Sequence, residues 1–465
     1  MEQDSIKRDL THSFYDGIFA NMFATLTGGV FLTGFALFLG MNDFMIGLLA
    51  ALPFLVTIFQ LPASYLIEKS GRRKAIAIGA AAAARLTWIP IVIFGVIPFL
   101  SRPAASLFVL GLIFLSYAFV TVSYVSWLAW TSDLVPEGMW GRFFGTRNML
   151  CGAAGMVVMV VFGNFLDFFK DRGPEWLPLG FGITFVSAVL FGVVSLSFLR
   201  RISEPKIHHD YLPRSFRTQI WRTLQEANFR RFLTFAFVWS FSVYFASPFF
   251  TLYFLRELRF SYGFVAILGM ISAFADLTGM RLWGRISDKV KNKAVIQSAS
   301  WVAAFLPLAW VMVRPEDIVI PILLQLIGGG FWAGINLCTN NLLLRITPQR
   351  NRSLYLSVYN IAGGLGAAAG PLMAGTILIA IGDLNLHLSS YRIFPLHYIF
   401  LISTFLRLAS RLLLNAVREP EEATVGELVR ILRSVRGLTM VNGFNYLLHP
   451  FIEIAKKGQK IRQKR

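Results

Sequence analysis

Cysteine is the scarcest residue of this chain, and its 25 acidic side chains are few beside 44 Lys and Arg. Its two cysteines in 465 residues, Cys151 and Cys338, both lie inside apolar runs, which excludes a disulfide framework and any Cys-based metal-ligand spacing. The sequence contains no H-E-x-x-H, no C-x-x-C, no G-x-S-x-G and no phosphate loop of the G-x-x-x-x-G-K-[ST] kind. Hydrolytic, redox and directly ATP-driven chemistry therefore lack their residues, and neither an enzyme activity, a cofactor nor a metal is expected. The first thirteen residues are polar, without the short apolar core of a cleaved leader, so the first apolar segment is expected to be retained.

What is abundant is hydrophobic length. Apolar residues make up 55% of the chain against 15% charged, and several runs exceed the roughly 18–20 residues that span a bilayer. Spans fall near 15–40, 43–67, 75–99, 104–133, 143–168, 178–199, 229–255, 262–284, 294–313, 318–345, 353–382 and 395–417. The expectation is an all-α membrane protein of twelve transmembrane helices, arranged as two pseudo-symmetric six-helix bundles.

The net charge of +19 would suggest nucleic acid in a soluble protein, but its distribution removes that reading. With the N-terminus inside, the outer loops hold only seven of the 44 Lys and Arg: Arg102, Lys170, Arg172, Arg256, Arg259, Arg314 and Arg392. This bias follows the positive-inside rule and puts both termini in the cytoplasm. The basic excess then serves topology and contact with lipid headgroups, and no nucleic-acid partner is expected.

Four parts follow. Residues 1–201 form a first six-helix bundle, and 202–228 a polar cytoplasmic connector with His208, His209 and Asp210. Residues 229–417 form a second bundle, and 418–465 a basic tail. In the tail, Thr424-Val425-Gly426-Glu427 has capping-box spacing before Leu428, Val429, Ile431 and Leu432, which reads as a short amphipathic helix on the membrane surface.

Two basic loops about 220 residues apart carry the clearest repeat. One runs from Ser64 through Glu68 and Lys69 to Gly71, Arg72, Arg73 and Lys74; the other from Gly284 through Asp288 and Lys289 to Lys291 and Lys293. Each has a small residue, three spacers, an acid, a lysine and a basic run between two membrane-length segments. Leu134-Val135-Pro136 with Asn148 matches Ile346-Thr347-Pro348 with Asn360 at a constant offset of 212. Internal repetition of this kind marks a secondary transporter built from two related halves.

The loop pair resembles the G-x-x-x-D-R-x-G-R-R signature of the major facilitator superfamily, and the resemblance covers nearly the whole chain except the tail. Glu68, Lys69, Gly71, Arg72 and Arg73 match the first copy, with Ser64 in place of its leading glycine. Gly284, Asp288 and Lys289 match the second, with Lys291 where a glycine is expected. The resemblance implies alternating access about a central site, and a cytoplasmic latch in which carboxylates pair with arginines and helix N-termini. Topology alone is the competing reading of the basic residues. Gly366, Gly370 and Pro371 resemble the family's antiporter glycine-proline motif, but sit in the eleventh helix rather than the fifth, and close helix packing explains them better. No motif supports proton antiport, so the coupling ion stays open.

Charges inside spanning helices are functional candidates by default. Asp276 in the eighth helix and Arg85 in the third lack charged counterparts in the other half, and a substrate or proton role stands beside a buried structural ion pair. Asn21 and Asp16 face the vestibule on this reading, although Asp16 also reads as an interfacial cap. Tyr124, Trp127, Tyr244, Asn336 and Asn340 recur where such a fold builds its cavity, while Asn148 and Asn360 read more readily as helix-to-helix glue. The expected function is secondary transport of a small organic solute by a monomer in a bacterial inner membrane, with a coupling proton or other ion. An exporter of amphiphilic, drug-like compounds and a non-transporting assembly or scaffold protein of the same fold are the alternatives.

Overall fold

In the computed structural model, which describes residues 2–96, 101–205, 223–348, 352–382, 386–388 and 391–419, twelve helices are long and apolar enough to cross a membrane. They are α1 (Lys7–Phe38), α2 (Asp43–Ile67), α3 (Arg73–Phe94), α4 (Arg102–Leu134), α5 (Trp140–Arg172) and α6 (Leu177–Arg201). The second set is α7 (Ala227–Arg256), α8 (Tyr262–Asp288), α9 (Asn292–Val311), α10 (Val319–Ile346), α11 (Leu354–Ile381) and α12 (Pro395–Leu414). All twelve expected spans are present. The main difference is at α1, whose polar first turns are helical from Glu2, well before the apolar stretch begins. The expected tail helix and most of the connector lie outside the described residues. A two-stranded hairpin, Leu386–Leu388 against Tyr391–Ile393, is a small departure from all-α, in the loop between α11 and α12.

Local chemistry sets the helix ends. Asn42 accepts the Met45 amide at 2.9 Å and so caps α2, and Ser261 does the same for α8 through the Phe264 amide at 3.1 Å. Gly71 ends the helix of α2 at φ 65°, a left-handed conformation that a side chain would strain. A break at Thr27 and Gly28 separates the two parts of α1.

The halves touch mainly through α2 against α11 and α5 against α8. These contacts concentrate at the end of the molecule away from the chain termini. There one apolar core runs through both bundles, joining Phe35, Phe181 and Phe185 to Phe249, Tyr253, Tyr262 and Phe400. Toward the termini the core divides: one cluster around Phe232, Trp283 and Leu342 lies within the second bundle, and others around Trp130 and Phe143 lie within the first.

Glycines permit the far-end contact. A Cβ on Gly375 would sit 2.9 Å from the Asp43 carbonyl and from Phe44 Cα, and one on Gly163 3.0 Å from the Tyr262 carbonyl. Gly47 lies directly against the Pro371 carbonyl. Residues 163 and 375 are related by the same offset of 212 as Asn148 and Asn360, so the junction is itself a repeat. Polar groups reinforce it: Asp167 of α5 accepts the Tyr262 and Gly263 amides at 2.7 Å each, and Arg256 pairs with Asp43 at 2.6 Å. Toward the termini, Gly145 and Gly152 of α5 and Gly364 of α11 meet nothing within 4 Å of where a Cβ would be.

Replacing Gly375 with leucine is expected to wedge α11 from α2. A cysteine at position 159, packed on Gly269 in the parent (Met159 Cε 2.9 Å from a Cβ there), should then react several-fold faster with a membrane-impermeant maleimide applied from the far side.

Candidate functional site

Each bundle encloses a cavity. The first, about 260 Å³, is walled by α1, α3 and α4 with contributions from α5 and α6. Its charged corner is built from four helices. Asp16 of α1, 4% exposed, accepts the Ser195 hydroxyl of α6 at 2.5 Å, and Ser195 in turn accepts Arg85 Nη2 of α3 at 2.9 Å. Arg147 of α5 approaches Asp16 at 3.7 Å, donates to the Ser13 carbonyl at 3.3 Å and lies 4.3 Å over the Trp127 ring. One carboxylate thus serves two guanidinium groups, and Arg85 Nη1 and Trp127 Nε1 remain buried without hydrogen-bond partners. Gly192 makes the arrangement possible, because a Cβ there would stand 2.8 Å from the Arg85 side chain.

Asp16 is therefore a central buried charge and not an interfacial cap. Arg85, Tyr124 and Trp127, expected from the sequence, line this cavity beside it. Asn21 does not: its Oδ1 accepts Thr25 at 3.3 Å and abuts Gly155, within the packing of α1 on α5.

The second cavity, about 560 Å³, lies among α7, α9, α10 and α12. Tyr244, Asn336 and Asn340 line it as expected, together with Trp239, Trp332 and Arg407. Tyr244 also meets Phe54 of α2 with ring centroids 4.7 Å apart, so this cavity borders the other bundle. Arg407, 3% exposed, donates Nη1 to the Ala303 carbonyl at 2.7 Å and Nη2 to the Val243 carbonyl at 3.4 Å.

Asp276 lines neither cavity. It is half-buried on α8, two turns from Gly269 toward the termini and on nearly the same helix face. Gly269 packs on Met159, and the α5 residue two turns from Met159 in the same direction is Gly152, which meets nothing. Asp276 accordingly looks across the gap between α8 and α5. Asn148 and Asn360 are both exposed on α5 and α11, not engaged as glue between helices; each lies eleven residues from a far-end junction residue, Met159 or Pro371, and so on nearly the same face. Gly366 abuts the Phe237 carbonyl and Gly370 the Phe241 carbonyl, which seats α11 on α7, in keeping with a packing role.

At the terminal end, Arg73 pairs with Asp133 of α4 and donates to the Ala129 carbonyl at 2.9 Å, within its own bundle. Lys69 lies 5.9 Å from the Tyr65 ring, Arg72 donates its amide to Ser70 Oγ at 3.4 Å, and Asp288 is exposed in the last turns of α8. The side chains of Glu68 and Lys289 lie outside the described residues. A repeated device stands beside these loops. Lys74 donates its amide to Glu204 at 3.0 Å and Nζ to the Ile202 carbonyl at 2.7 Å. Lys293 donates its amide to Glu419 at 2.7 Å and Nζ to the Val417 carbonyl at 2.6 Å. Each glutamate caps the helix after a basic loop, as a carboxylate at a helix N-terminus should. The matching Glu204-Pro205 and Glu419-Pro420 pairs were the available sequence signal.

Twelve apolar helices in two like bundles, joined at one end and each holding a cavity with a buried arginine on its wall, define the fold of an α-helical membrane transporter. The chain belongs to the Major Facilitator Superfamily, whose family model matches residues 17–371 and again 240–451. Solved structures of similar fold include a point mutant of the nucleoside transporter NupG, at 11% identity, covering 89% of this chain and 100% of that one with TM-score 0.69. A D-xylose-proton symporter matches at 17% identity, 90% and 98% coverage and TM-score 0.65. A bacterial homologue of the iron transporter ferroportin, in an inward-facing state, matches at 14% identity, 88% and 99% coverage and TM-score 0.63. No curated protein matches the chain in sequence.

Removing the Asp16 carboxylate leaves Arg85 and Arg147 without the buried anion they share. Asp16→Asn should lower stability by about 3–5 kcal/mol, the usual cost of breaking a buried pair, read as a fall in melting temperature of the detergent-purified protein. Arg147→Gln in the Asp16→Asn background should recover part of it, because the excess positive charge is then reduced.

Proposed function

We propose that this protein is a secondary active transporter that carries a small organic solute across the membrane by alternating access. The supporting observation is the pair of cavities, one per bundle and each with a buried arginine on its wall, flanking a junction that is packed at the far end and open toward the termini. In this reading residues 1–201 and 229–417 are the two rocking units, 202–228 their connector and 418–465 a lipid-facing basic tail. The charge bias of the loops favours cytoplasmic termini and a bacterial inner membrane, so the arrangement described is the inward-open one. The working unit is a monomer in contact with lipid.

Rocking must close the terminal end and part the far end. Closing brings α5 to α8 and α11 to α2 along the faces that carry Gly152, Asn148, Gly364 and Asn360. Asp276 then loses its water against α5, which makes it the group whose proton uptake would couple to the cycle, since burying a lone carboxylate favours its neutral form. The latch of Glu68, Arg72, Asp288 and Lys289 belongs to that closed-inside state; Arg73, held by Asp133, stays with its own bundle in the open one.

Uptake into proteoliposomes under an imposed proton gradient tests the reading. Asp276→Asn is expected to lower gradient-driven uptake and flatten its pH dependence while leaving substrate counterflow, which needs no net proton movement, largely intact. Unchanged uptake across pH would remove Asp276 from the coupling role. Glu68→Gln with Asp288→Asn should raise labelling of a cysteine at position 152 from the inner side, since the inner gate would close less often; equal labelling in mutant and parent would sink the latch.

A further inference from the structure

The two cavities differ in how their buried charge is balanced. In the first, Arg85 and Arg147 share Asp16. In the second, Arg407 has no carboxylate partner among the described residues. Two of its nitrogens are held by main-chain carbonyls of α9 and α7, the guanidinium lies 5.9 Å from the Trp332 ring, and Nε is buried without any hydrogen-bond partner. The Thr339 hydroxyl, 9% exposed and lining the same cavity, is also without a partner.

The contrast falls on one repeated position. The offset of 212 relates Arg407 to Ser195, the hydroxyl that joins carboxylate to guanidinium in the first bundle. Where the first half supplies its own anion, the second supplies a cation and no counter-ion. A guanidinium inside a spanning bundle is costly unless paired, and its planar fork suits the two or three oxygens of a carboxylate or phosphate. The walls add a second requirement. Trp239 and Trp332 stand with ring centroids 5.9 Å apart, and amides of Gln325, Asn336 and Asn340 complete the lining. Flat apolar surface together with amide hydrogen bonding fits an organic body and not a bare inorganic ion.

We propose that the cavity of the second bundle binds an organic anion, a carboxylate or phosphate carried on a flat apolar body, with Arg407 as its counter-charge and Thr339 as a further hydrogen-bond donor. The proposal names the substrate class of the transporter reading and rests on it only for what happens after binding. Arg407 is a binding residue, held in place by the Ala303 and Val243 carbonyls before any ligand arrives, so little ordering is left to oppose binding.

The test uses the full-length protein in detergent, with phenyl phosphate and benzoate as probes, benzyl alcohol and benzamide as their neutral counterparts, and inorganic phosphate and phosphatidylglycerol as controls. Ligands that bind only the folded state raise the melting temperature with concentration. At least one of the two aromatic anions should do so saturably, well beyond its neutral counterpart and inorganic phosphate. Loss of a charged hydrogen bond should weaken that probe about ten-fold or more in Arg407→Gln, and less in Thr339→Val. Equal stabilisation by the neutral counterparts would overturn the proposal, as would stabilisation by phosphatidylglycerol alone, which would make the site a lipid contact. If Arg407→Gln does not fold, the ranking of probes in the parent and the Thr339→Val comparison still decide. Counterflow separates the two readings. Binding of phenyl phosphate without its counterflow from preloaded vesicles would sink the transporter reading and leave the site. Counterflow of a neutral solute, unaffected by Arg407→Gln and by excess phenyl phosphate, would sink the site and leave the transporter.

Discussion

Main-chain contact between the halves at one end is the constraint on which the rest of the architecture depends. Spanning helices gain little from apolar burial against one another, because lipid is equally apolar; they associate through close packing and polar contacts. Here both are concentrated where α2 meets α11 and α5 meets α8. Glycines 47, 163 and 375 let backbone approach backbone, and Asp167 and Asp43 tie the start of α8 and the end of α7 to the opposite bundle. The same two helix pairs diverge toward the termini. A junction packed through small residues at one end and open at the other is the pivot that the proposed rocking would use.

Much of this was legible beforehand, for physical reasons. Helix count and limits follow from bilayer thickness, which each apolar run must match, and the error at α1 arose because its first turns are polar and helical at once. The basic loops and the 212-residue offset announced two related bundles. Tyr124, Trp127, Tyr244, Asn336 and Asn340 could be assigned to cavities because their helix and depth follow from spacing alone.

What was not legible depended on which side of a helix faces which neighbour. Asp16 lies near the start of a span, where a cap is the cheaper reading, and only the fold brings it to Ser195, Arg85 and Arg147. Ser195 and Arg147 had no signal of their own: a serine in a transmembrane helix is commonplace, and an arginine near a helix end reads as topology. Asn21 and the pair Asn148 and Asn360 exchanged expected places for the same reason. Asn21, placed in the vestibule, packs against Gly155, while the two asparagines expected as glue are exposed on faces that continue the junction toward the open end.

The division between what repeats and what does not has its own logic. Scaffold elements recur at matching places in the two halves: Gly163 with Gly375, Glu204 with Glu419, and Lys74 with Lys293, each pair making equivalent contacts. In the proposed cycle, like helix starts and like junction faces in both halves would keep their motion reciprocal. The buried charges do not recur. Asp16 with its two arginines has no copy in the second bundle, and the serine joining them becomes Arg407 at the matching position. On the proposed reading, a solute passing between the two bundles would meet the paired charges of the first cavity on one side and Arg407 of the second on the other, which favours one orientation. Symmetry in the packing and asymmetry in the charge are complementary in the proposed transport cycle: the first would let the bundles exchange ends, and the second would give the solute a fixed pose while they do.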